Sequence, residues 1–210
     1  NASLNVDSGV DIAKRKAFNQ YVFHIKAEDE KGNIIYEKDM PLSFSVVVRA
    51  DENDELTSQD ITDWSSAYPV FLNEPENVND INEWRKQNCS ARVFTKWDSG
   101  NLYVLADVYD DKHVQMNSDG DLWNDDSIQI SLDTKNSKSS VYDDDDYEIV
   151  YGLNPAAEQA AAGYILQAAK EGKTGGVSVE NIKILRSDEK CSTRYLIKIP
   201  FETVKPLEAA

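Results

Sequence analysis

Carboxylates dominate the chemistry this chain can do. Twelve aspartates fall between Asp107 and Asp146, against three lysines and no arginine. Oxygen-rich loops at strand ends are the usual material for Ca2+. Asp110, Asp111, Asp119, Asp121, Asp125, Asp126, Asp143 and Asp144, with Asp145 and Asp146 beside them, are the candidate ligands. Clusters so dense repel themselves, and a cation that binds only the native state raises stability by mass action. At least one Ca2+ is therefore expected. The stretch QMNSDGDLWNDD, Gln115 to Asp126, half-matches a calcium loop, with Asn117, Asp119 and Gly120 at suitable offsets. It opens on Gln, closes on Asp and is flanked by strand-like segments, so it is no EF-hand.

Trp123 lies inside that acidic loop, just before a strand, where periodicity does not demand it for the core. Sugar rings present apolar C–H faces that stack on an aromatic ring, while their hydroxyls need donors and acceptors. Gln129, on the wet face of the following strand, supplies both. The plain alternative is that Trp123 simply packs. Signatures of catalysis are missing: no G-x-S-x-G, no H-E-x-x-H and no phosphate loop. Of the two histidines, His24 sits in a strand and His113 in the acidic loop without an evident nucleophile. Among so many acids a glycosidase-like carboxylate pair arises by chance, so it carries no weight.

The elements that must position these residues are strands. In LYVLADVY, Leu102, Val104, Ala106 and Val108 share one face by the two-residue period. In SIQISLD, Ile128, Ile130 and Leu132 point one way, and Ser127, Gln129, Ser131 and Asp133 the other. That is a sheet with one buried and one wet face. Leu102, Val104, Val108, Ile128, Ile130 and Leu132 are the expected core. Asp98-Ser99-Gly100 marks a hairpin turn. Trp64 and Trp84 are read as core-edge packing. The alanine-rich run NPAAEQAAAGYILQAAK, with Pro155 near a first turn, predicts a helix over 155–169, closed by Gly172 to Gly176. Two strands, VSVENIKILR and TRYLIKIPF, end the pattern.

Towards the N-terminus, YVFHIKAED, a Lys31-Gly32-Asn33 turn, IIYEKDM and LSFSVVVRA read as a β-meander resembling part of an immunoglobulin-like sandwich. Residues 51–60 read as an acidic linker. The expected domains are thus 1–58, an immunoglobulin-like β segment, and 59–210, an antiparallel jelly-roll-like sandwich with one inserted helix. The fold class is all-β.

A formal net charge of -16 over 210 residues excludes a phosphate-backbone binder, which needs a basic face. No apolar run approaches the roughly 20 residues that span a bilayer. No signal peptide is seen, so the chain reads as a mature or excised piece of a larger protein. Cys89 and Cys191 are too far apart for a zinc spacing; an inter-strand disulfide and two free thiols both remain open.

Together, Trp97-Asp98 leading into LYVLA-x-V-x-D, Trp123 leading into DSI-x-I-x-LD, and the acidic run before the next strand resemble family 9 carbohydrate-binding modules. The resemblance covers about 61–206. It implies a calcium-containing β-sandwich attached to a secreted xylanase or related glycan-active protein. The family clamps a terminal sugar between two tryptophans. Trp123 matches the first. Gln129 stands where relatives carry a glutamate, and Glu148 or Ile149 where they carry an arginine. The second clamp tryptophan lies in the family's last strands, beyond Ala210. The resemblance therefore implies a non-catalytic module, extracellular or at the cell surface, whose partners are a glycan and the flanking domains of its own protein. Its sugar-binding residues would be Trp123, Gln129 and Glu148. A spacer module with a degenerate sugar site is the second reading, and a small carboxylate hydrolase the third.

Overall fold

The computed structural model describes residues 20–43, 47–50, 69–78, 84–86, 88–157 and 160–205, together with Trp64 and Ala67. The chain divides into two compact units, 1–46 and 47–210. In the first, β1 (Gln20–Glu28) and β2 (Ile34–Ser43) form an antiparallel hairpin. The turn falls where expected. Asp29 accepts hydrogen bonds from the amides of Lys31 and Asn33, and Gly32 takes the positive φ (80°) that costs glycine nothing.

The third strand expected for this meander belongs to the other unit. There β3 (Val48–Arg49) pairs in parallel with β5 (Cys89–Trp97). The division at 46/47 therefore precedes the expected boundary at 58/59. The proposed linker, 51–60, lies outside the described residues.

The larger unit is two sheets. One runs β10 (Gly175–Gly176), β9 (Ala161–Gln167), β8 (Asp146–Leu153), β7 (Ser127–Asp133). The other runs β11 (Ile182–Ser187), β12 (Ser192–Pro200), β6 (Asn101–Asp110), β5 (Cys89–Trp97), with β3 and β4 (Val70–Leu72) both on β5. Between the sheets lies one core. Val104 and Ala106 meet Tyr147, Ile149, Tyr151, Ile165, Tyr195 and Ile197, with Leu102, Val108, Ile128, Ile130 and Leu132 packed against them. All six residues expected inside take part, by the alternation that predicted them.

Two expectations fail. The one-wet-face pattern read from SIQISLD does not extend to the large sheet: Trp64, Ala67, Phe94, Tyr103, Leu105 and Leu196 form a second buried cluster on its other side. Lys96 sits there with its ammonium 4.8 Å from the Trp64 ring centre, and Tyr103 donates its hydroxyl to the fully buried Asp98 at 2.6 Å. Trp64 is thus core packing, as read from the sequence.

The helix over 155–169 is also overturned. Asn154 caps a turn, accepting from the Ala156 amide, and the chain then runs as β9 along β8. Packing decides this against alanine's helix propensity. A Cβ on Gly163 would come within 2.6 Å of Val177, 2.9 Å of Tyr151 and 3.0 Å of Ile182, and Ile165 is buried. The small residues let neighbouring groups close over the strand.

Candidate carbohydrate-binding face

The smaller sheet turns Tyr147, Ile149 and Tyr151 into the core. The intervening residues point outward. Register pairs Ser127 with Gly152, Gln129 with Val150 and Ser131 with Glu148 on this outer face. Gln129 is exposed and Glu148 half-buried. Glu148 sits diagonally from Gln129, within reach of long side chains.

The loop 111–126 folds back over this face. Its 3-10 turn, Asp119–Asn124, seats Leu122 with no exposure. Gly152 makes the seat: a Cβ there would lie 3.4 Å from the Leu122 side chain and 2.9 Å from Gln115 Oε1. Gly120 rests on the Tyr164 ring, 3.6 Å from where its own Cβ would be. Asp125 holds the turn together, accepting from the amides of Met116 (2.7 Å) and Asn117 (2.6 Å). Those two amides keep its carboxyl below the usual range. The loop's base is closed by the Val114 amide donating to the Asp126 carboxylate and the Asp126 amide donating back to the Val114 carbonyl. With Leu122 fixed inward, Trp123 stands 52% exposed beside it.

A second ring went unnoticed in the sequence. Tyr142, 50% exposed, shares a 2.9 Å hydrogen bond with Ser131 Oγ on the same outer face. Its aromatic type and acidic setting were visible, but its register against Ser131 was not.

The aspartates fall into separate groups. Asp110 and Asp126 meet across the ends of β6 and β7, with His113 between them. Asp143 and Asp145 lie together near Asp133, which accepts from the amides of Ser137 and Lys138 at 3.0 Å each. Asp145 is 7% exposed and its Oδ2 has no partner. Its hydrogen bond to the Asp143 carboxylate, its burial and the charge of Asp133 push its pKa up to about 6, while Asp143 is lowered by accepting from Asp145. Asp146 accepts from the Asp143 amide at 2.8 Å. Asp111, Asp119, Asp121 and Asp144 are exposed and join no group of three ligand side chains among the described residues. Cys89 and Cys191 are free thiols.

Residues 62–210 match the family described as carbohydrate family 9 binding domain-like. The chain belongs to this family. It is a non-catalytic binding module. It is 36% identical over 104 residues to endo-1,4-beta-xylanase A of Thermotoga neapolitana, and 36% over 103 residues to the enzyme of the same name from Thermotoga maritima. Each match takes in 42% of this chain, which spans only 10% of either relative's length. Two solved structures of a family 9 carbohydrate binding module from Caldicellulosiruptor kristjanssonii are also similar. The complex with cellotriose has TM-score 0.49 and 20% identity over 73% of this chain and 65% of that one. The complex with glucose has TM-score 0.48 and 18% identity over 78% and 70%.

Proposed function

We propose that the module binds carbohydrate on the outer face of the smaller sheet, by stacking on Trp123. The observation that carries this is the contrast between adjacent residues: Leu122 is fully buried and Trp123 half-exposed. A buried anchor fixes the backbone that carries the ring before any ligand arrives, which reduces the ordering cost of binding. Gln129 and Glu148 offer an amide and a carboxylate to hydroxyls on that face, and Tyr142 provides a second ring at the Ser131 end. Because the similar proteins include endo-1,4-beta-xylanases, β-1,4-linked xylo-oligosaccharides are the first ligands to test, with gluco-oligosaccharides beside them. The parent protein is read as a secreted or surface glycan-active protein, with this module delivering it to substrate.

Calcium belongs to this reading as structural support. Asp133, Asp143 and Asp145 are the carboxylates proposed to hold it, since they lie together and the buried Asp145 Oδ2 has no hydrogen-bond partner. Bound there, the ion would neutralise the loop that carries Tyr142.

Titration calorimetry with the oligosaccharides tests the proposal. Binding lost in Trp123→Ala at unchanged fold is the expected result. Binding that survives the substitution places the site elsewhere, and no binding by the native chain favours the spacer reading.

A further inference from the structure

We propose that Asp110, His113 and Asp126 form a site for a divalent cation of the zinc or manganese type, separate from the calcium position. Asp110 ends β6, Asp126 directly precedes β7, and His113 lies in the loop that joins them. One potential ligand atom from each lies within 4.8 Å of the others. His113 Nδ1 stands 3.9 Å from Asp110 Oδ2. That is too long for a hydrogen bond. It suits two donors sharing one ion, each at about 2.0–2.2 Å.

The imidazole supplies the independent observation. The His113 side chain is only 10% exposed, and its Nε2 is sealed from solvent without a hydrogen-bond partner. Burying a polar ring so poorly satisfied is unfavourable unless something else holds it. Coordination through Nδ1, the nitrogen near Asp110, would hold the ring in place by its other nitrogen.

The surroundings are consistent. Asp110 is half-filled: its Oδ1 accepts from the Lys112 amide at 3.1 Å, and Arg186 Nη1 approaches Oδ2 at 3.4 Å while bonding the Asp110 carbonyl at 3.0 Å. Asp126 gives one oxygen to the Val114 amide. Two carboxylates against one guanidinium leave the pocket negative. Cys89, paired with Asp110 across β5 and β6, feels it: burial first, then both carboxylates, raise its thiol pKa. A nitrogen donor beside two carboxylates disfavours Ca2+ and suits Zn2+ or Mn2+. The ion would join the two ends of the loop that carries Trp123.

The test uses the full chain after chelator treatment, with 15N-resolved imidazole resonances. His24→Gln removes the only other histidine signal. One equivalent of Zn2+ is expected to shift the His113 nitrogens and raise the melting temperature, while Ca2+ leaves the imidazole unmoved. Asp126→Asn, which can still accept from Val114, should weaken Zn2+ at least tenfold. His113 resonances indifferent to excess Zn2+ in the folded native chain would overturn the site, as would undiminished affinity in Asp126→Asn. If the variant fails to fold, the native resonances decide alone. No sugar enters this experiment, so its outcome is independent of the carbohydrate reading.

Discussion

In the proposed site Leu122 and Trp123 divide one task between neighbouring side chains, and each can be removed separately. Trp123→Ala takes away an exposed ring, so oligosaccharide binding should vanish with little change in melting temperature. Leu122→Ala empties a fully buried seat against Gly152 and should cost about 2–5 kcal/mol. Denaturant titration checks it: an unchanged midpoint would show that the loop does not rest on the sheet. Trp123 was legible in the sequence because it stood outside the apolar alternation of its neighbours. Leu122 was not, because a lone leucine in a polar loop has no period. Its role follows from Gly152, distant in sequence, lacking a side chain. Tyr142 was hidden for the same reason, since its bond to Ser131 depends on how the 134–145 loop returns.

Among the elements, β6 and β7 could be read from alternation, since a strict two-residue period has one sensible burial. β9 could not. Ala161, Ala162 and Gly163 favour a helix or nothing by local preference, and only the approach of Val177, Tyr151 and Ile182 makes them a strand. Gly163→Val should therefore destabilise the sandwich, by about 1–3 kcal/mol, despite valine's own preference for strands. The loop between β7 and β8 carries the pH dependence. Asp145 holds its proton more tightly folded, at about 6, than its ordinary 3.8. Its contribution thus favours the native state below about pH 4, and that advantage is lost as pH rises towards 6. In chelator, the melting temperature of the native chain relative to Asp145→Asn should fall across that window, a comparison that leaves out the lowered carboxylates elsewhere, whose contributions have the opposite sign. Saturating Ca2+ should abolish or reverse the fall, since the ion holds the deprotonated form. Superimposable profiles with and without Ca2+ would sink the calcium assignment.

At the scale of the molecule, every residue of the proposed face lies within 47–210. A chain lacking 1–46 is expected to bind the same oligosaccharides with the same affinity. That affinity should be weak. Stacking contributes about 1–3 kcal/mol per ring, by analogy with nucleic-acid bases on aromatics. Association costs at least about 4 kcal/mol in lost freedom. Millimolar dissociation constants by calorimetry are expected, and micromolar binding would mean a fuller site than two open rings. The formal charge of -16 adds a filter, because uronate-rich glycans meet like charge at low salt. The all-β sandwich was readable in advance because strands, turns and acidity all agreed. The dry second face was not, since what covers it comes from Trp64 and Ala67, in a stretch without period.

The Val114–Asp126 closure has an evolutionary reading. It ties the loop off at its neck, so that the strands beneath are insulated from whatever is written between 115 and 125. Mutational drift there leaves the scaffold intact so long as one apolar side chain keeps Leu122's seat. A lineage built on this frame can change its ligand by rewriting one short segment, and variation should accumulate there faster than in the sheets.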